Sequence, residues 1–129
     1  MSRSTSTLVL ALAVIGVIVL PALAAEPVIN KRVMAEDDGT AVLVVEVRAA
    51  DRAIYGVTLF DETGSVTDIM APKGWAGISS GDRVVFATAD QPVGAGETVV
   101  FRVVTTNKSA AFRVSFRDAK SSIHTKQTI

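Results

Sequence analysis

Apolar and polar residues alternate along most of the chain in short runs, and a turn signal interrupts the pattern about every ten residues. Valine, isoleucine, threonine and phenylalanine dominate the runs, and no stretch keeps the period of roughly 3.6 residues that a helix needs. The pattern therefore predicts an all-β fold, a sandwich of antiparallel strands. The predicted strands cover residues 28–35, 41–49, 54–60, 65–70, 83–88, 98–105 and 110–117.

Turn-forming residues separate these runs, as in the segments 37–39, 61–64, 94–96 and 107–108. A count of about seven to eight strands in about a hundred residues is typical of an immunoglobulin-like sandwich. The polar residues from Asp118 onward are predicted to form either a final edge strand or a loose tail.

The last two predicted strands suggest a specific pairing. If Asn107 and Lys108 form a hairpin turn, Phe101 lies opposite Val114, and every inward position meets an apolar partner. The residues then predicted to face the core are Phe101, Val103, Phe112 and Val114.

The outward residues of the same hairpin suggest a binding patch. Arg102 is predicted to lie opposite Arg113, with Arg117 further along the same outer row. Guanidinium groups bind carboxylates and sulfates in two-pronged geometry, so the three arginines are candidate ligands for an acidic partner. The structural alternative is that Glu46, or another carboxylate on a neighbouring strand, completes a cross-strand ion ladder.

Trp75, the only tryptophan, follows a Pro-Lys-Gly turn and precedes an alternating run. The chain has only one tyrosine and five phenylalanines besides it, so use of the indole in the core is favoured. The alternative is a stacking platform for a sugar, with Lys73 beside it. Tyr55 is the other aromatic residue with a polar group, and nothing in the sequence places it near Trp75.

The N-terminus has the features of a secretory signal peptide. Arg3 precedes an apolar run from Leu8 to Leu20, and small residues around Ala24 follow it. The run is shorter than the roughly 20 residues that span a bilayer as a helix. We therefore expect residues 1–24 to be a signal peptide and 25–129 to be one domain, secreted or periplasmic. An uncleaved membrane anchor is the alternative.

Composition excludes several chemistries. The chain has no cysteine, hence no disulfide and no thiol nucleophile. Lysine plus arginine and aspartate plus glutamate each number 13, a balance that argues against nucleic acid as a partner. Acidic residues predominate in 26–68 and basic residues in 69–129, which would favour head-to-tail assembly if the two parts lay on opposite sides.

Enzymatic and metal sites are not favoured either. The acidic segment 36–39 resembles a calcium loop only in composition, and its Asp-Gly pair is a strong hairpin signal. His124 is the only histidine and has no patterned partner. We therefore predict no catalytic residue, no metal and no cofactor.

Several segments together suggest a family resemblance. "AIYGVTLFD", "APKGW", "VGAGETVVFRV" and "FRVSFRD" follow one another much as in cohesin-like and related immunoglobulin-like modules of secreted prokaryotic proteins. The matching residues are Phe60-Asp61, Gly74-Trp75 and the segment 96–101. The resemblance implies a non-catalytic sandwich for adhesion, scaffolding, or contact with carbohydrate or protein. The chain is shorter than a true cohesin and has no dockerin-like segment, so no dockerin-binding face is transferred.

The sequence thus predicts a secreted, non-catalytic binding module of the cell envelope or extracellular space. Its candidate binding residues are Trp75, Lys73, Arg102, Arg113 and Arg117, and its expected partner is a protein or a polysaccharide. The first alternative is a structural subunit that assembles into homo-oligomers through edge strands. The second is a carbohydrate-binding module. Membrane contact is expected only if the signal segment stays attached.

Overall fold

A computed structural model describes residues 25–120 and 123–129, so the predicted signal peptide lies outside the described residues. The described part contains nine strands and no helix, and hence no helix that could span a membrane. The strands are β1 (Val28–Asp37), β2 (Thr40–Arg48), β3 (Gly56–Phe60), β4 (Val66–Met70), β5 (Ala76–Ser80), β6 (Arg83–Ala87), β7 (Thr98–Thr105), β8 (Arg113–Arg117) and β9 (Ile123–Thr128).

The strands form two antiparallel sheets that pack face to face. The first sheet has the order β1-β2-β7-β4, and the second has the order β5-β6-β3-β8-β9. The predicted all-β sandwich is confirmed. β5 was not predicted, because all five of its residues are exposed and its sequence has no apolar alternation. The polar tail contains the edge strand β9, one of its two predicted outcomes.

The core is formed by the inward rows of the two sheets. In β2 every second residue from Ala41 to Val47 is buried, and Phe101 and Val103 of β7 are fully buried beside them. Phe101 stacks on Phe86 of the opposite sheet, with ring centroids 4.4 Å apart. The predicted inward positions are therefore correct, because the period of two places alternate side chains on one face.

The predicted pairing of the last two long strands is wrong. β7 pairs with β2 and β4 in the first sheet, whereas β8 pairs with β3 and β9 in the second. The segment 106–112 crosses from one sheet to the other, and Ala110 and Phe112 are buried within it. Apolar rows that face each other across a core satisfy the same pattern as rows paired side by side. Alternation alone could not distinguish the two arrangements.

The acidic segment 36–39 forms the predicted hairpin between β1 and β2. Asp37 pairs with Thr40, and the carboxylate of Asp37 accepts a hydrogen bond from the backbone N–H of Asp38 at 2.8 Å. This carboxylate therefore stabilises its own turn. In the part of the chain that the structure describes, no group of three or more acidic or histidine side chains is placed to hold a metal ion.

Asp61 is a buried carboxylate that joins the two sheets at one end of the sandwich. Its oxygens accept hydrogen bonds from the backbone N–H and hydroxyl groups of both Thr63 and Ser65, at 2.6 to 3.0 Å. The hydroxyl of Ser65 in turn accepts one from Thr105 of β7 at 2.9 Å. Burial alone raises the pKa of Asp61, but the four hydrogen bonds outweigh it and hold the pKa below its ordinary value.

Lys31 links the sheets along their β1 and β9 edges. Its ammonium group donates to the backbone oxygens of Ala110 and Ile129, and it lies 5.1 Å from the ring centroid of Phe112. Partial burial lowers the pKa of Lys31, although the charge of Asp61 opposes this effect. The side chain thus fills an inward position of β1 while its charge stays hydrogen-bonded.

Candidate functional site

The residues predicted to bind lie on both sides of the sandwich. Lys73 and Trp75 lie in the turn between β4 and β5, and Arg102 lies on the outer face of β7, in the first sheet. Arg113 and Arg117 lie on the outer face of β8, in the second sheet. The predicted row of three arginines therefore does not exist, because β7 and β8 belong to different sheets.

The turn that carries Trp75 is fixed by its backbone. The N–H of Trp75 donates to the carbonyl of Pro72 at 3.0 Å, and Gly74 has a φ of 86°. A Cβ atom at Gly74 would lie 2.5 Å from Cγ of Gln91, so only glycine fits between these two loops. The Pro-Lys-Gly sequence thus brings the indole against the loop that contains Gln91.

Trp75 is half-buried, and two contacts fix its ring. The indole N–H donates to the backbone carbonyl of Gln91 at 3.0 Å. The ring packs against Phe101 in a T-shaped arrangement, with centroids 5.2 Å apart and planes at 73°. Trp75 thus packs against the core, as the favoured interpretation predicts, while part of it also lines a surface hollow.

Thr88 ties together the loops on either side of this hollow. Its hydroxyl donates to the carbonyl of Gly74 at 2.7 Å and accepts from the N–H of Gln91 at 3.0 Å. Glu97, on the same rim, accepts from the N–H of Gly94 at 2.8 Å and so holds its own turn. The walls of the hollow are therefore fixed by hydrogen bonds within and between the loops.

The hollow beside Trp75 has a volume of about 230 Å³. Its lining includes Pro72, Lys73, Trp75, Gln91, Glu97 and Thr98. A second hollow of about 290 Å³ is lined by Met70, Ala71, Pro72, Val100 and Arg102. Because Pro72 lines both, we call the two together the Pro72 groove. The hollow that contains Arg102 thus adjoins, at Pro72, the hollow that contains Lys73 and Trp75, an arrangement that the sequence did not predict.

The Pro72 groove combines exposed apolar surface with free cations. Met70 and Val100 are 47% and 40% exposed. Among residues 25–120 and 123–129, neither Lys73 nor Arg102 forms an ion pair. Glu46, the predicted partner of Arg102, instead lies 3.4 Å from Arg32, so the predicted ladder between Glu46 and Arg102 is wrong.

Arg113 belongs to a different cluster on the second sheet. Its guanidinium lies 5.2 Å from the ring centroid of Phe60, and that of Arg83 lies 5.1 Å from the same centroid. Neither Phe60 nor Arg83 is among the binding residues that the sequence predicts. They become neighbours of Arg113 only through the strand order β6-β3-β8, which no local pattern encodes.

A larger hollow than these two, of about 630 Å³, lies at the tip of the β1–β2 hairpin. Lys108 closes one side of it with an ion pair to Glu36 at 2.7 Å. The hydrogen bond and the charge of Glu36 raise the pKa of Lys108. These charges satisfy each other, so this hollow is a weaker candidate than the Pro72 groove. The side chain of His124 lies outside the described residues.

No family profile matches the sequence, and no curated protein matches it either. Solved structures are similar in fold. An uncharacterized protein from Nocardia farcinica with an immunoglobulin-like fold has a TM-score of 0.56 and 13% identity, over 74% of this chain and 80% of that chain. A GH20 exo-β-N-acetylglucosaminidase from Vibrio harveyi has a TM-score of 0.54 and 8% identity, over 81% of this chain and 17% of that chain.

The chitin-binding domain of a hyperthermophilic chitinase from Pyrococcus furiosus has a TM-score of 0.50 and 10% identity. The match covers 79% of this chain and 95% of that domain. Similarity at such identities establishes the fold alone. The chain is therefore an immunoglobulin-like β-sandwich, while the narrower resemblance to cohesin-like modules stays a prediction.

Proposed function

We propose that the protein is a non-catalytic binding module that holds a polysaccharide chain in the Pro72 groove. The observation that carries the proposal is the fixed, half-buried indole of Trp75. Its N–H is bonded to Gln91 and its ring packs on Phe101, so little conformational entropy remains to be lost when a ligand binds. A rigid aromatic wall of this kind suits the apolar C–H face of a sugar ring.

The rest of the groove provides what a sugar chain needs. Pro72, Met70 and Val100 extend the apolar surface beyond the indole. Thr98, Gln91 and the cationic groups provide hydrogen-bonding atoms at the rim, where sugar hydroxyls require partners. The two hollows that meet at Pro72 suggest room for more than one sugar unit.

The structural neighbours suggest a first ligand to test. One of them is a chitin-binding domain, and another is part of an enzyme whose structure contains N-acetylglucosamine. We therefore take chitin and its oligomers as the first candidate ligands. The proposed setting is the periplasm or the extracellular space, as the signal-like N-terminus predicts. Partnership with a dockerin is not part of the proposal.

Replacement of Trp75 tests the proposal directly. We expect Trp75→Ala to weaken retention on insoluble chitin by about tenfold or more, because the main stacking surface is removed. Depletion of the protein from solution by increasing amounts of chitin measures this effect. In the unsubstituted protein, soluble N-acetylglucosamine oligomers are expected to shift the emission of the only tryptophan.

Phe60→Ala is the matched control, since Phe60 is also a half-buried aromatic residue but lies on the opposite sheet. It should leave retention on chitin unchanged. Equal losses for Trp75→Ala and Phe60→Ala would contradict the assignment of the groove. No retention of the unsubstituted protein on chitin, cellulose or other neutral glycans would contradict the proposed function.

A second candidate function is assembly through the edge strand β5. Its five residues are all exposed, carry no charge and no proline, and pair with β6 without a bulge. Natural edge strands usually carry charged residues, prolines or bulges that prevent pairing with another chain. An edge without these features therefore supports strand addition by another chain. Ile78, 67% exposed, lies in the middle of this edge.

Sedimentation distinguishes assembly through β5 from a monomeric protein. If the protein assembles through β5, it forms oligomers whose fraction rises with concentration, and Ile78→Lys restores the monomer because a charge blocks edge pairing. Thr40→Lys, an equivalent change on the distant β1–β2 hairpin, should leave the oligomers intact. A monomer at high concentration would reject assembly through β5.

A further inference from the structure

We propose that the outer face of the second sheet is a separate binding site for an anionic polysaccharide. We call it the arginine face and define it by Arg83, Phe60, Arg113 and Arg117. It lies on the opposite side of the sandwich from the outer surface of β7, which carries Arg102. The inference does not depend on the function proposed for the Pro72 groove.

Charge composition is the first observation. The five strands of the second sheet contain four basic residues and no aspartate or glutamate. The chain as a whole is balanced, with 13 basic and 13 acidic residues. A sheet whose strand charges are all positive in a neutral protein concentrates a positive potential on one side, and that potential attracts an anionic ligand.

Two of the arginines are held in place by Phe60. Arg83 and Arg113 are the direct partners of Phe60 on the two neighbouring strands. Both guanidinium groups contact the ring, at 5.1 and 5.2 Å from its centroid. Contact with the electron-rich ring offsets part of the repulsion between the like charges. The Cα atoms of the two arginines are two strand spacings apart, about 10 Å.

Arg117 extends the face along β8. It lies opposite Gly56, and a Cβ atom there would be 3.2 Å from Nε of Arg117, so the side chain lies flat against the backbone of β3. Arg117 and Arg113 are about 13 Å apart along the strand. Between them, on the neighbouring strand β3, lies the half-buried Thr58, whose hydroxyl group suits the hydroxyls of a sugar chain.

The arginines remain available to a ligand. The single ion pair of the arginine face among the described residues joins Arg113 to Glu62 at 3.7 Å, and Glu62 is 80% exposed. Such a pair contributes little and can exchange for a ligand anion. Within the same described ranges, Arg83 and Arg117 form no ion pair.

The character of the face favours a polysaccharide over a protein or a membrane. Protein interfaces are centred on buried aromatic or apolar anchors, but Phe60, the aromatic residue of this face, already has two guanidinium groups against it. Membrane binding needs apolar side chains that insert, and the large exposed apolar residue among the described side chains of these strands, Ile78, lies at the edge. Spaced charges on the outer face of a sheet suit an extended anionic chain.

The test is a calorimetric titration of the full chain with two anionic polysaccharides, polygalacturonate and dextran sulfate, and with neutral dextran. We expect binding to at least one anionic polymer, weakened by salt, and none to dextran. Arg83→Ala and Arg113→Ala should each reduce the affinity by about tenfold, because each removes a charge-assisted contact. The two polymers distinguish carboxylate from sulfate recognition.

Arg48→Ala is the matched control. Arg48 is an exposed arginine on the outer face of the first sheet, and its removal changes the net charge by the same amount. It should alter the affinity by less than about twofold. An equal loss in Arg48→Ala would mean diffuse attraction and would overturn the proposal. Tighter binding to acidic vesicles or to polyglutamate than to both polysaccharides would overturn it as well.

Two further variants keep the result interpretable. Arg113→Lys retains the charge and is expected to fold normally, yet it should still weaken binding, because lysine lacks the planar fork that binds an anion at two points. Trp75→Ala should leave binding to the anionic polymers unchanged, and Arg113→Ala should leave retention on chitin unchanged. Failure of the arginine face and failure of the Pro72 groove can therefore be told apart.

Discussion

Asp61→Ala is expected to lower the free energy of unfolding by about 3 kcal/mol, since it removes the acceptor of the buried N–H and hydroxyl groups of Ser65. Thr63 and Ser65 donate four hydrogen bonds to this carboxylate, and the Ser65 hydroxyl accepts one from Thr105 in the other sheet. Its loss loosens the end of the sandwich where the two sheets are joined. Urea unfolding followed by circular dichroism measures the change.

The same carboxylate predicts the response to acid. Its pKa is lower in the folded protein than in the unfolded chain, so its contribution is complete above the ordinary aspartate pKa of about 3.9. That contribution is lost as the pH falls through the lowered folded value. The unsubstituted protein should therefore lose stability below about pH 4, and Asp61→Asn should show a shallower dependence on pH.

Asp38→Asn is the matched control, because Asp38 is an exposed aspartate in the β1–β2 turn. It should change neither the stability nor the acid response measurably. If Asp61→Ala unfolds at the same urea concentration as Asp38→Asn, the bridge through Ser65 does not contribute to stability.

Phe101→Ala is expected to cost about 3–5 kcal/mol, because it opens a cavity at the centre of the core. Phe101 is fully buried, stacks on Phe86 and contacts the ring of Trp75. Its removal should also release the indole of Trp75. We therefore expect a red-shifted tryptophan emission that is more easily quenched by iodide, together with weaker chitin retention than the loss of stability explains.

Two core variants separate the loss of stability from the release of the Trp75 indole. Phe101→Leu keeps most of the volume, so the protein should stay folded while the ring contact with Trp75 is lost. Phe112→Leu makes the same chemical change at a buried position in the segment that crosses between the sheets, and no ring contact links it to Trp75. Identical emission spectra for Phe101→Leu and the unsubstituted protein would show that Phe101 does not position the indole.

The fold was largely predictable from the sequence, and each wrong or missing prediction has a definite cause. The inward rows of β2 and β7 follow from the period of two, so their burial was predicted correctly. The hairpin between β7 and β8 was wrong, because residues paired within a sheet and residues facing each other across a core give the same alternation. β5 was missed because small, exposed residues give no periodic signal.

The features of the candidate site were likewise predictable only where the signal is local. Trp75 and Lys73 were found because a lone tryptophan after a Pro-Lys-Gly turn is a local signal. That the hollow containing Arg102 adjoins theirs depends on where β4 and β7 meet, which is not local. The association of Arg83 with Arg113 through Phe60 likewise arises from the order of three strands that are distant in sequence.

The sequence by itself determined that apolar and polar residues alternate as in β-strands, which residues face inward, and where the turns lie. These properties depend on residues within a few positions of one another, so a linear pattern records them. Only the tertiary structure decided which strands are neighbours, and with that which arginines share a face and which residues line the groove beside Trp75. Long-range pairing is selected by the packing of the whole core, and many strand orders are compatible with one alternating pattern.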